Sequence, residues 1–312
     1  MSFEQSIQQF FAENGFQLVK EIKRERAYVV NNGPRGAQVM VKIEPLDAEH
    51  RPGKPKGKAR GAIAQESARM EEVFKLMKDY RFFKLCLPAV FGMGRYQDLF
   101  DWTMYKYYEG ERYQWSEYDT DADTLGGRAI PAQAAADMAM MVFDFTQVPV
   151  LKFNKKVPTK NYVEDIAVLT EQVSVLVAAE VLTQQEVETA LQEFREFYDK
   201  KIPTLYTIQN GNFYPRNFLR LTETIVVFDW ESAQITTVEE VVAYMYILMW
   251  ENPEWQKRFL VELAYLLEIQ HEWLTHMIRY RALKQLIFWE AFKKNTLHSG
   301  MQAMKNYFQK PL

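Results

Sequence analysis

In its 312 residues the chain has one cysteine and four histidines. The cysteine, Cys86, stands in the apolar run Phe82-Phe83-Lys84-Leu85-Cys86-Leu87. A lone thiol excludes an internal disulfide and reads here as a small core residue. No apolar stretch reaches the length a bilayer requires. The opening Met1-Ser2-Phe3-Glu4-Gln5 has neither the basic nor the apolar region of a secretory leader. These absences together point to the cytoplasm, with no membrane partner. The histidines do not build a zinc site either. His271 and His276 stand five apart, whereas paired helix ligands of the metalloprotease kind stand four apart. There is no internal repeat, heptad series or low-complexity tract.

What is present is a substantial core. Hydrophobic residues make up 48% of the chain, aromatic residues 14% and charged residues an ordinary 25%. This length suits one large domain or two packed lobes. The net charge of -3 is unevenly spread. Residues 1–110 carry 18 basic and 14 acidic side chains, a net of +4, and residues 111–312 carry 20 and 27, a net of -7. A basic half suits phosphate and an acidic half suits a cationic substrate. Five of the basic residues fall between Arg51 and Arg60, in a Pro- and Gly-rich loop, where they can equally be a solvated surface. That loop has no interleaved aromatics and the whole chain is acidic, so nucleic acid is not an expected partner.

The element pattern is α+β. After a short helix come strands at 16–25 and 26–32, a turn at Asn32-Gly33-Pro34-Arg35-Gly36, and a strand at 37–43. Alternation in that third strand puts Ala37, Val39, Val41 and Ile43 on one face and Gln38, Met40 and Lys42 on the other. Residues 63–77 have helical periodicity, with Ile63, Met70, Val73, Phe74 and Met77 as the apolar stripe. Glu66 falls on that stripe, where a carboxylate is costly unless paired; Lys42 is the obvious partner. Strands at 89–96 and 102–107 complete a small antiparallel sheet. Beyond Gly110 the chain turns helical, at 131–145, 163–179, 184–200 and from Thr237 onward, where Thr237-x-x-Glu240 forms a candidate capping box. One hairpin interrupts the helices, with strands 218–221 and 224–228 around Thr222-Glu223.

If Thr222-Glu223 is a two-residue turn, Leu221 faces Thr224 and Asn217 faces Phe228. Asn217 and Asp229 then lie side by side at the open end of the ribbon. An amide oxygen and a carboxylate converging there are hard ligands suited to Mg²⁺. Taken alone, Asn217 reads equally well as a turn residue.

The segment Asn210-Gly211-Asn212-Phe213-Tyr214-Pro215-Arg216-Asn217, followed by Ile225-Val226-Val227-Phe228-Asp229-Trp230-Glu231, resembles the catalytic segment of the aminoglycoside phosphotransferase and choline kinase-like family. The resemblance covers most of the chain in element order. It implies a two-lobed protein kinase-like fold, with a nucleotide-binding lobe at 1–110 and a helical lobe at 111–312 carrying the catalytic hairpin and the substrate site. It implies ATP or GTP with Mg²⁺ as cofactors, and a small hydroxyl-bearing acceptor. Lys42 matches the strand lysine that holds nucleotide phosphates and Glu66 its helix partner. Met104 to Tyr108, including Tyr105 and Tyr107, resembles the base-binding hinge, and Gly110 the glycine that follows it. Asn217 and Asp229 match the two metal ligands.

The departures are specific. Asn212 stands where the family has its catalytic aspartate, and an amide cannot accept a proton at neutral pH. Asn210 and Tyr214 replace two family histidines. Val241 occupies the place of an aspartate that braces the catalytic loop. The first strand turn, Lys23-Arg24-Glu25-Arg26, has no glycine-rich phosphate loop. Two readings follow: a small-molecule kinase in which Asn212 orients the acceptor hydroxyl, or a pseudokinase-like nucleotide-binding or scaffold protein without turnover.

Overall fold

The structure is a computed structural model that describes residues 2–23, 26–33, 36–46, 62–77, 80–112, 134–152, 157–199, 205–211, 213, 217–230, 232–291 and 298–309. The chain opens with α1 (Phe3–Glu13), whose first turn is closed by a capping box between Ser2 and Gln5. Then come β1 (Phe16–Lys23), β2 (Ala27–Asn32), β3 (Gln38–Pro45), α2 (Ala62–Met77), β4 (Leu85–Cys86), β5 (Val90–Tyr96), β6 (Phe100–Lys106) and β7 (Glu111–Arg112). The strands β1, β2, β3, β6 and β5, in that order, form an antiparallel sheet. Its outer face buries Val39, Val41 and Ile43 against Phe3, Ile7, Phe10 and Phe11 of α1. Edge-to-face contacts of Phe10 with Tyr96 and Phe100 lock that helix to the sheet. On the other face lies α2, which buries Met70, Val73 and Met77. Phe74, expected on the same stripe, is 42% exposed: it lies one position round the helix from Val73 and points off the seam.

The remaining chain comprises α3 (Ala134–Thr146), α4 (Tyr162–Gln172), α5 (Ser174–Ala178), α6 (Gln184–Asp199), β8 (Tyr206–Gln209), β9 (Phe218–Arg220), β10 (Ile225–Val227), β11 (Gln234–Thr237), α7 (Val238–Leu248), α8 (Pro253–Leu266), α9 (His271–Ala291) and α10 (His298–Gln309). The helix expected over 163–179 is two helices. The turn tightens at Val173, whose carbonyl accepts from both Leu176 and Val177, and this drives Leu176 into the core. The centre of the second lobe is α7, buried along nearly its whole length and packed on α3 and α9. No described helix is long and apolar enough to cross a membrane.

Four strands were not foreseen: β7, the two strands of the β8–β11 ribbon, and β4. Leu85-Cys86 forms β4 and runs parallel to β10, extending the hairpin into a sheet of order β4-β10-β9-β7. The cause lies on α3. The buried carboxylate of Asp144 accepts the backbone N–H groups of Phe83, Lys84 and Leu85 at 3.0, 2.6 and 2.8 Å. Cys86 is consequently half-buried rather than a core residue. Its thiol sits 3.7 Å from the Tyr108 hydroxyl, and burial raises the pKa of both groups.

Candidate active site

The hairpin carries the site. Its strands pair Ile225 with Arg220, Val226 with Leu219 and Val227 with Phe218. Leu221 donates to the Thr224 carbonyl and Phe228 to the Asn217 carbonyl, each at 2.8 Å, so the ribbon has the register that the two-residue turn requires. Asn217 and Asp229 are therefore neighbours. The Asn217 side-chain amide donates to Asp229 Oδ2 at 3.2 Å. Asp229 sits in the left-handed region at φ 64°, a conformation that aspartate tolerates better than most residues. Next to it Trp230 is fully buried and donates its indole N–H to the Val227 carbonyl at 2.8 Å, fixing the strand end from which Asp229 projects.

The loop entering this place is held by Asn210 and Gly211. Asn210 is fully buried, and its side-chain amide donates to the Phe228 carbonyl at 2.9 Å. It ties the loop to the residue preceding Asp229. Gly211 has φ 84°, and a Cβ there would sit 2.2 Å from the Ser232 carbonyl, so only glycine fits. The ribbon β8–β11 carries both ends of this segment, pairing Gln209 with Gln234 through to Tyr206 with Thr237. Asn212, the position of the expected general base, lies outside the described residues.

Between the sheet of the first lobe and the hairpin of the second opens a cleft of about 670 Å³. Lys20, Ile22 and Met40 form its roof, Lys106 to Gly110 its back, and Phe218, Leu219 and Phe228 its floor. The floor residues are the chain neighbours of Asn217 and Asp229. Tyr107 lines the cleft, and its hydroxyl receives a 2.6 Å hydrogen bond from Lys20 Nζ. Gly110 is needed because a Cβ would lie 2.4 Å from the Arg220 carbonyl. Lys42 projects from the same face of β3 as Met40, with its ammonium 5.4 Å from the centre of the Tyr105 ring. Tyr105 is buried opposite Met40. Met104 points the other way and packs against the aromatic cluster under α1. Glu66 is on α2, which packs on β3, but its side chain lies outside the described residues.

Lys20 and Asn210 were not legible as contributors. The register of β1 slips by one between Leu18 and Lys20 and again between Glu21 and Lys23. Simple alternation along the strand therefore fails to place Lys20 over the cleft. Nothing in the residue type of Asn210 announces a hydrogen bond to a carbonyl eighteen positions away.

A second charged centre lies behind the ribbon, one residue before Val241. Glu240 is completely buried. Its carboxylate meets Lys160, Arg281 (3.0 Å), Tyr162 and the Thr236 hydroxyl. Thr237 does cap α7, accepting from Glu240 N–H at 3.3 Å, but the Glu240 carboxylate is committed to the cluster rather than to a reciprocal cap. Burial alone would raise the Glu240 pKa; Lys160 and Arg281 override it and pull the group far below the ordinary carboxylate range. Asp165, Tyr280 and Lys284 extend the cluster outward. Burial, with Lys160 and Arg281 nearby, lowers Lys284 to about 8. Val241 itself is fully buried in the apolar core.

This is the protein kinase-like fold, with a small antiparallel-sheet lobe and a mainly helical one. Solved structures share it along nearly their whole length. The GDP complex of aminoglycoside 2'-phosphotransferase-IIIa superposes with a TM-score of 0.58 at 15% identity, over 98% of this chain and 97% of that one. Macrolide 2'-phosphotransferase MphH from Brachybacterium faecium gives 0.60 at 12% identity, over 99% of each chain. A thermostable mutant of aminoglycoside phosphotransferase APH(4)-Ia, in ternary complex with ADP and hygromycin B, gives 0.59 at 13% identity over 97% of each. No protein-family model and no curated protein sequence matches the chain.

Proposed function

We propose that this chain binds a Mg²⁺-nucleotide in the inter-lobe cleft and transfers its terminal phosphoryl group to a hydroxyl of a small molecule. The observation that carries the reading is the Asn217–Asp229 pair, joined at 3.2 Å and adjoining Phe218 and Phe228 in the floor of a cleft roofed by the sheet that bears Lys42. An amide and a carboxylate are the hard oxygen donors a magnesium ion takes, and the ion would neutralise charge on the phosphates. Lys42 would hold those phosphates, with Glu66 orienting it, while Tyr107 and its neighbours flank the base. Met104, turned toward α1, would contribute through its backbone, and Tyr105 as the wall on which Lys42 rests. Asn212 would orient the acceptor hydroxyl. Loss of a general base costs about 10²–10⁴-fold, and phosphoryl transfer depends more on positioning and electrostatics than on that base.

A second reading is nucleotide binding without turnover. Val241 supports it, because an apolar residue wholly within the core does nothing to brace the loop that would carry the chemistry. The solved structures named above are aminoglycoside and macrolide phosphotransferases, one of them holding hygromycin B, which makes hygromycin B, another aminoglycoside and a macrolide sensible first acceptors. The test is calorimetric titration with ATP and GTP, with and without Mg²⁺, followed by phosphate transfer assays on the native chain and Asn212→Asp. Saturable, Mg²⁺-dependent binding with slow transfer supports the first reading. Binding with transfer only in Asn212→Asp supports the second, and no binding at millimolar nucleotide overturns both.

A further inference from the structure

The helices α8 and α9 leave their linker in different directions, α8 to pack on α3 and α9 on α7. The wedge between them holds a second cavity, of about 480 Å³, a size that small ligands fill. None of its lining residues lines the nucleotide cleft. Its walls are hydrocarbon: Leu260 from α8, Leu267 and Ile269 from the linker, Leu274 and Ile278 from α9. Along α7 every residue is buried except Tyr246, and Tyr246 faces this cavity. Its hydroxyl makes no hydrogen bond among the described residues, so the phenol is available as a donor on the cavity wall. Of the side chains around the cavity, Glu268 is the one carboxylate and His271 the one basic group, and none is lysine or arginine.

We propose that this wedge is a second ligand site, for a small cationic amphiphile whose apolar body fills the hydrocarbon walls and whose positively charged end meets Glu268. Apolar walls alone would accept any greasy molecule; the single carboxylate at the rim sets the sign of the charge that is welcome. An oxygen on the ligand body would satisfy Tyr246.

Calorimetry with decyltrimethylammonium below its micellar concentration tests this, with decanol as the uncharged counterpart. The full chain should bind decyltrimethylammonium saturably at one equivalent. Ala264→Trp, on the half-open wall, should weaken both probes by at least about tenfold by filling the space. Ala264→Leu is the milder filling variant should the tryptophan perturb folding, and it should weaken both to a lesser degree. Glu268→Gln should weaken the cation about threefold and leave decanol unchanged, the scale of an exposed ion pair. Non-saturable uptake, binding indifferent to both Ala264 variants, or a Glu268→Gln effect that is absent or equal for the two probes would overturn the proposal.

Discussion

Two polar centres lie on either side of the β8–β11 ribbon, one buried and one half-exposed, and they are built on opposite principles. At Glu240 a carboxylate is enclosed by two cations and two hydroxyls, and its charge is spent within the protein. At Asp229 the carboxylate is half-exposed, accepts from the Asn217 amide, and its backbone is pinned in a left-handed turn. The first arrangement closes a charge inside the protein; the second leaves a carboxylate half-exposed, next in the chain to Phe228 of the cleft floor. Sequence likeness assigns the bracing of the catalytic loop to position 241. The structure places an apolar residue there and puts the charged anchor one position earlier, facing the far end of the same ribbon.

The comparison breaks most visibly at Glu240. Glu240→Leu strands Lys160 and Arg281 and should cost about 3–5 kcal/mol in denaturant unfolding, whereas replacing the trio together (Lys160→Met, Glu240→Leu, Arg281→Met) should restore most of it. Because the folded Glu240 pKa lies below its unfolded value, its contribution is present above about pH 4.3 and fades as the pH falls from there. The triple variant should therefore show a shallower acid slope. If Glu240→Leu alone unfolds like the native chain, the cluster is not the anchor described here.

At the other centre the effect should appear in binding instead. Asp229→Asn keeps a residue that tolerates positive φ and should leave the melting temperature within a degree or so, while weakening Mg²⁺-nucleotide binding by about 2 kcal/mol, roughly thirtyfold. A large loss of stability with unchanged affinity would reverse the roles assigned to the two centres.

Asn210→Ala probes the tie between loop and strand. It leaves the Phe228 carbonyl without this donor and should cost about 1–2 kcal/mol of stability. Unchanged unfolding would show that the loop is held elsewhere.

The smallest effect concerns Glu239, the buried neighbour of Glu240. Burial raises its pKa to about 7. Its folded value is thus above its unfolded one, so its stabilising contribution is full below about pH 4.3 and is lost as the pH rises through 7. Glu239→Gln should be neutral at pH 4 and stabilising at pH 8. Equal effects at both pH values would contradict it.

The parts of this molecule that local pattern governs could be read in advance. The alternation of Val39, Val41 and Ile43 gave the sheet face, and the turn at Thr222-Glu223 gave the register that joins Asn217 to Asp229. The parts that distant contacts govern could not. The strand at Leu85-Cys86 exists because Asp144, about sixty positions away, gathers three N–H groups. Lys20 overhangs the cleft where bulges change the strand's parity, and Glu240 is a cap residue by spacing but an ion-cluster residue by packing. Each depends on partners that no window of sequence contains.

The grip of Asp144 on the chain leaving α2 also has a mechanical side. The smaller lobe joins the larger along two lines: at Leu85-Cys86, welded to the hairpin sheet, and at the stretch from Lys106 to Arg112, which ends on the other edge of that sheet. Two fixed attachments behave like the paired pins of a door. Attached at both edges of one sheet, the lobes are held more firmly against twisting and sliding than against a swing about the line between the two attachments.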